Sequence, residues 1–307
     1  MTLQAGPDGA PLWASWAWEP GIVVPLLFGA VLYGRGLRLL WDEHVGRGIR
    51  VWEATCFALG WLITALSLIS PLHEVSEQLF VAHMVQHELL MVVAAPLLVL
   101  GRPLVPMLWA LPSAARRRVG RASRAHGIRV GWQTITRPFV AFVIHGAAIW
   151  IWHIPSLFQA TLTSDTVHAL QHASFLGTAL LFWWTIIHAH APGGRSRAVS
   201  FGTAVLLLFG TALHSGALGA LLTFSRAIWY PAYGASALHW GLSPMEDQQL
   251  AGLVMWIPAS FGYLVAALFL FANWLRASED RVHEREVALS AERAKQIQEE
   301  GEGHAWS

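Results

Sequence analysis

Seven apolar stretches constrain this chain more than any other feature. They fall near residues 20–40, 52–70, 79–101, 138–154, 166–188, 199–223 and 248–274. Each is close to the roughly 17–25 residues that a helix needs to cross hydrocarbon. Inside lipid every backbone N–H and C=O must be satisfied within its own segment, which leaves the helix as the structure for runs of this kind. The fold class expected is therefore all-α, a polytopic transmembrane helical bundle of about seven spans. Composition agrees, with 13% charged residues where a soluble protein carries about 25%. "PLVPMLWALP" (103–112) is short and bounded by proline, so it reads as re-entrant or interfacial.

The basic residues set the orientation. Segments 34–51, 101–137, 189–198 and 275–307 hold 4, 8, 2 and 5 of them, which is 19 of 20. The loops between, on the other side, hold only Arg226. The positive-inside rule then puts the N-terminus outside and the C-terminus in the cytoplasm. Three regions follow: an extracytoplasmic segment 1–19, a membrane domain 20–275 and a charged cytoplasmic tail 276–307, expected to be a solvated helix. Trp13, Trp16 and Trp18 precede the first span as interfacial residues do. No basic region ahead of a short apolar core suggests a cleavable signal peptide.

Several function classes find no support. A net charge of +1 with no basic groove gives no reason to expect nucleic acid. Cys56 is the single cysteine, so an internal disulfide and paired-thiolate metal motifs are excluded. No nucleophile elbow, P-loop or dinucleotide fingerprint occurs, and "HMVQHE" has Gln86 where a metalloprotease carries its catalytic carboxylate. The chain does not read as an enzyme.

Fifteen histidines carry the chemistry. His83 and His87 lie four apart on one helical face, and His168 and His172 repeat that spacing on another span. Both spans are expected to begin outside, so both pairs lie in the outer half of the membrane. His145 and His153 approach the outer end of the fourth span, and His214 lies in the sixth beside Ser215, Gly216 and Gly219. Met91 extends the ridge through His83 and His87. Neutral imidazole with thioether sulfur is a donor set suited to copper. Glu88 could orient a ligating imidazole or carry a proton. Ordinary interhelical hydrogen bonding is the rival reading for a single intramembrane histidine. His73 and His239 fall in outer loops, His188 and His190 at an interface, and His44 and His126 in basic loops.

Three rival chemistries compete with copper. Haem needs one histidine from each of two facing helices, which His87 and His172 could supply, but the doubled pairs are then unexplained. A membrane di-iron enzyme would show several histidine boxes on the cytoplasmic side. A transporter would show paired repeats, although Pro258 in "MWIPASFGY" could break the seventh helix.

"AHMVQHELLMVVAAPLLVLGRP", "IWHIPSLFQATL" with "VHALQHASFLGTALLFWW", and "EDQQLAGLVMWIP" together resemble the CtaG-type membrane proteins, assembly factors for caa3-type cytochrome c oxidase. The resemblance runs from about residue 20 to 275. It implies about seven spans and a non-enzymatic role in maturing the oxidase, most simply by supplying transient copper. Oxidase subunits and a copper donor protein would be the partners, with membrane lipid around the bundle. The resemblance to a bacterial oxidase assembly family also implies the bacterial cytoplasmic membrane as the location. The family pattern falls on His83, His87, His153 with Pro155, His168, His172, and on Asp247, Gln248 and Gln249. Asp247 and Gln248 could line the site or cap a helix. Glu88 departs from the apolar or methionine residue expected at its position. An unrelated single-span copper chaperone shares the family's name, but this chain has no CxC or CxxxC motif. A docking scaffold that binds no metal stays open beside the copper carrier.

Overall fold

The computed structural model describes residues 15–188 and 201–304. Trp13, His190 and the basic loop at 189–198 lie outside the described residues. Among those described there is no strand, and six helices are long and apolar enough to cross a membrane. They are α1 (Pro20–Trp41), α2 (Val51–Ile69), the run Phe80–Leu100, then Asp165–His188, Phe201–Phe224 and Pro244–Arg276. A short helix α3 (Pro71–Gln78) links α2 to the third span.

That third span is built in three parts. It comprises α4 (Phe80–Glu88), a π-helical turn over Leu89–Ala94, and α5 (Ala95–Leu100). The expected re-entrant segment is α6 (Leu104–Ala110), a short helix against α1, followed by α7 (Ser113–Ala122) and α8 (His126–Ile135). A Cβ on Gly36 of α1 would collide with the backbone of Pro106, so that contact requires glycine.

The fourth predicted span is α9 (Pro138–Trp152), and it is the shortest. Its 15 residues rise about 22 Å, and α8 meets it at a bend of 71°. Proline opens α9, α10 (Pro155–Thr161) and α3, where its missing N–H leaves no helix bond unmade. Next come α11 (Asp165–His188) and α12 (Phe201–Phe224), then a 3-10 turn at Pro231–Tyr233, α13 (Gly234–His239) and α14 (Pro244–His304).

One possibility falls away in α14: Pro258 lies inside an unbroken helix rather than at a break. The tail is helical, as expected, and continues α14 to His304. α14 packs along α12, where Gly219 and Gly252 face each other so closely that a Cβ on either would strike the other's carbonyl. Small residues give membrane helices this close approach.

The topology sorts the connections into two ends. Residues 15–19, 70–79, 153–164 and 225–243 lie at one end, and residues 42–50 and 101–137 at the other. The first end carries Glu19, Glu74, Glu77 and Asp165 with Arg226 its one basic residue; the second holds most of the arginines. Beneath the first end the main core gathers Phe80, Met84, Phe158, Phe175, Phe182, Tyr230 and Tyr233.

Candidate metal centre

Two helices that start level bring the paired histidines into register. His83 stands three residues after Phe80, where α4 begins, and His168 stands three residues after Asp165, where α11 begins. Both helices run inward from the same end, so each pair spans depths of about 5 and 10 Å. Like therefore meets like. The His83 and His168 ring centroids are 5.2 Å apart, and those of His87 and His172 are also 5.2 Å apart. Within each helix the rings are 4.3 and 4.4 Å apart. The four exposures lie between 0% and 6%. One ring nitrogen from each of His83, His168 and His172 falls within 4.8 Å of the others, a spacing that can hold an ion.

The start of α4 is fixed by Asp247. Its carboxylate on α14 accepts the Phe80 N–H at 2.8 Å and the Val81 N–H at 2.9 Å. α4 has no capping side chain of its own at Leu79, so a distant helix supplies the cap. Asp247 is 1% exposed. It does cap a helix, though not the one that carries it. Gln248 closes the adjoining loop: Oε1 accepts the Trp229 N–H at 2.7 Å, and Nε2 donates to the Ala227 carbonyl at 3.1 Å. Both residues support the site without lining it.

Hydrogen-bond accounting then assigns the protons. The Tyr233 hydroxyl has one hydrogen, which goes to the Ser76 carbonyl at 3.1 Å, an acceptor only. His83 Nδ1, at 3.2 Å from that hydroxyl, must therefore donate to it. A neutral His83 then carries its lone pair on Nε2, which faces Gln171 Oε1 at 3.3 Å, itself an acceptor. Gln171 Nε2 is buried with no partner, and turning that amide would bring its N–H to the lone pair. His153 reaches the same state by donating Nδ1–H to the Ile149 carbonyl at 2.7 Å. Its carbonyl accepts from Tyr230 Oη at 2.7 Å, and His153 interacts electrostatically with His83 and His87. Nε2 of His153, His168 and His172, and both nitrogens of His87, are buried with no partner among the described residues. Each such group costs about 1–3 kcal/mol of stability. Several together in one chamber mark a place built to receive something.

His73, which the sequence reading left in a loop, belongs to this group. It is 5% exposed on α3 and stacks on His168 at 5.5 Å and 13°. The signal available was "SPLHEVSE", in which a serine cap and a proline open a helix that puts His73 and Glu77 on one face. Gln86 Nε2 donates to the Ser67 carbonyl and lies 3.2 Å from His73 Nδ1, so it donates there too and the proton of a neutral His73 sits on Nε2, toward Glu77 at 3.7 Å. Burial lowers the His73 pKa. Burial and the charges of Glu74, Glu19 and Asp165 push the Glu77 carboxyl up to about 7.

The remaining predicted residues go elsewhere. His145 donates Nδ1–H to Thr178 Oγ1 at 3.0 Å, because that hydroxyl spends its own hydrogen on the Phe175 carbonyl at 3.3 Å. His145 also stacks on Phe182 at 5.6 Å. Thr178 and Phe182 are six and ten residues beyond His172 on α11, or about 9 and 15 Å deeper. His214 interacts electrostatically with His145 and rests over Gly146. These two form a separate pair, so the expected convergence of four spans in one layer is not what the fold builds. Met91 is buried in the apolar core, with its carbonyl accepting the Trp183 indole N–H at 2.9 Å. The π turn from Leu89 alters the register between His87 and Met91, so the ridge expected of a plain α-helix is interrupted. Glu88 interacts electrostatically with Tyr263 on α14, and its Oε2 is buried without a partner. His188 stacks on Trp184 at 3.9 Å, and His239 is exposed with Nδ1 on the Ala235 carbonyl.

Comparison with known proteins adds three findings. The sequence profile of a family described as cytochrome c oxidase caa3 assembly factor (Caa3_CtaG) matches residues 31–277. A Mycobacterium leprae (strain TN) protein described as uncharacterized is 26% identical over 236 residues, covering 74% of this chain and 35% of its own length. The chain thus spans about a third of that relative. No solved structure matches.

Proposed function

The chain belongs to the cytochrome c oxidase caa3 assembly factor family, and from that premise we propose that it carries copper to the oxidase. Family membership supports a role in oxidase assembly and an interaction with the oxidase itself. The copper step rests on one observation, the matched imidazole rungs of α4 and α11 with unpartnered ring nitrogens gathered in one buried cluster.

Three properties of the chamber suit a carrier. Imidazole is a good ligand for copper, and metal selectivity is set by donor type and geometry rather than raw affinity. Neutral imidazole is the ligating form; the Ile149 hydrogen bond holds His153 with Nε2 free, and the Tyr233 hydrogen bond leaves the His83 lone pair on Nε2. The chamber also lies just inside one end of the bundle, beneath a rim of carboxylates that attracts cations. With 19 of 20 basic residues assigned to the opposite side, the positive-inside rule turns this end outward. Copper is then cargo, held and released, and the chain is a carrier rather than an enzyme.

The test is metal content. Purified protein is loaded anaerobically with Cu(I), desalted and measured by mass spectrometry, beside the variant with His83, His87, His168 and His172 all changed to alanine. Stoichiometric copper in the wild type that the variant loses is the expected result. Copper in neither, with folded wild type, would leave the metal-free docking scaffold as the function of this fold.

A further inference from the structure

The three rings of His73, His168 and His83 form a pile. His168 stacks on His73 at 5.5 Å and 13° on one side, and on His83 at 5.2 Å and 17° on the other. A second set of possible ligand atoms uses the outer part of this pile. Nitrogens of His73 and His168 and a carboxylate oxygen of Glu77 lie within 4.8 Å of one another. The inner set, His83, His168 and His172, meets the same criterion. The two sets share His168 and differ in depth. On α3, the Glu77 side chain is 48% exposed, whereas His73 is buried beside Gln86 of α4.

We infer that His73, Glu77 and His168 form a second, shallower metal site, from which copper passes to the inner triad by ligand exchange about His168. The inference rests on the copper reading above. In the exchange the ion gives up the Glu77 oxygen and the His73 nitrogen, keeps His168, and gains His83 and His172. No electron moves; besides the coordination bonds, only the His73 proton, which returns from Nδ1 to Nε2 as the ion leaves, and the Gln86 hydrogen bonds change. A neutral imidazole offers one lone pair, so His168 cannot serve both sites at once and the pair holds a single ion.

Donor chemistry gives the exchange its direction. Carboxylate suits harder cations, whereas imidazole is the better match to copper, so a Cu(I) ion gains by moving inward. The outer site is also the weaker for a reason visible in its hydrogen bonds. Ligation through His73 Nε2 needs the proton on Nδ1, which now faces the Gln86 amide N–H. Gln86 Oε1 is buried and unpartnered, and turning the amide toward His73 would give that oxygen the Nδ1–H to accept. The turn sacrifices the bond from Gln86 to the Ser67 carbonyl. A site that binds only after such a rearrangement releases readily.

The experiment uses the full chain in detergent, Cu(I) and a chromogenic Cu(I) chelator as competitor. Wild type should retain one ion. His83→Ala with His172→Ala should still bind one ion, about tenfold or more weakly, and adding His73→Ala and Glu77→Gln should abolish that residual binding. Glu77→Gln alone, at a half-exposed position that leaves the core intact, should slow copper uptake about tenfold with unchanged final occupancy. Copper bound by wild type but not at all by a folded His83/His172 variant would overturn the outer site alone. So would residual binding indifferent to His73 and Glu77, an unaltered uptake rate in Glu77→Gln, or two ions in wild type. Failure of wild type to bind any copper would instead remove the copper reading itself.

Discussion

The bundle holds two groups of buried histidines, and they are built on different plans. In the chamber, His83 and His168 and then His87 and His172 meet rung against rung near one end of the bundle. Deeper in, His145 and His214 form a lone pair, one anchored to Thr178 and the other with neither nitrogen partnered. Both groups have histidine in an apolar span, so residue type does not separate them. Number and support do. The chamber has enough donors for three-coordinate binding, a carboxylate rim, and hydrogen bonds from four different segments that fix its rings. The deeper pair offers two donors and no rim.

Function should therefore divide between the groups. Changing His87 and His172 together to alanine is expected to abolish oxidase maturation while the protein still accumulates. Changing His145 and His214 together should leave maturation near the wild-type level. Oxidase activity in membranes, measured against the level of this protein, checks both. Equal losses from the two double variants would erase the distinction.

A smaller effect sharpens it. Tyr233 touches no proposed metal position, but its hydroxyl is what keeps the His83 proton on Nδ1. Partners of this kind typically change metal affinity about 10–100-fold when removed. Tyr233→Phe should weaken Cu(I) binding within that range, read by competition with a chelator. It should also change the imidazole nitrogen NMR signature of His83, which a loss of packing alone would not. An unchanged affinity would show that the tautomer of His83 is set by something else.

How much of this was legible in the sequence follows from the range of each interaction. The all-α class depends on apolar length, which is local, and it stands. Of the seven expected spans six are helices long and apolar enough to cross, and the fourth, α9, reaches that length only together with α8 across the 71° bend. The two HxxxH pairs depend on helical spacing, also local, and their register follows once both helices start three residues before the first histidine. What sequence could not supply was anything set by a partner far along the chain. Asp247 reads as lining the site or as the cap of its own helix until α14 is seen to lie against the start of α4, 166 and 167 positions away. His73 reads as a loop residue until α3 folds its histidine under the rim. His145 and His214 read as members of the main group because an apolar run marks its own ends, and so the depth of its residues, only to within several positions. Met91 was misplaced by a π turn, which leaves no pattern in hydrophobic spacing.

Asp247 provides the next test in size. Its carboxylate satisfies two backbone N–H groups at the start of α4, and a lost cap ordinarily costs about 1 kcal/mol, up to about 2. Because Asp247 is buried, Asp247→Ala should fall at the upper end, lowering the thermal unfolding midpoint in detergent. Asp247→Asn retains one acceptor oxygen and should lose less. The same substitution should also weaken copper binding, since the cap sets the height of His83 against His168. Destabilisation with wild-type copper affinity would mean that the rungs stay level without the cap.

The smallest expected change lies at the deeper pair and completes the comparison. Thr178 stands to His145 as Tyr233 stands to His83: each hydroxyl donates to a carbonyl and accepts the Nδ1–H of its histidine. Thr178→Val removes the hydroxyl with little change of shape and leaves the His145 proton without an acceptor, at about 1–3 kcal/mol. The protein should become modestly less stable to heat, while Cu(I) affinity stays within about twofold of wild type, well inside the span expected of a ligand's partner. Matching affinity losses in Thr178→Val and Tyr233→Phe would place a metal at both groups, because a shared hydrogen-bond motif has a shared effect only where the imidazole it orients is a ligand.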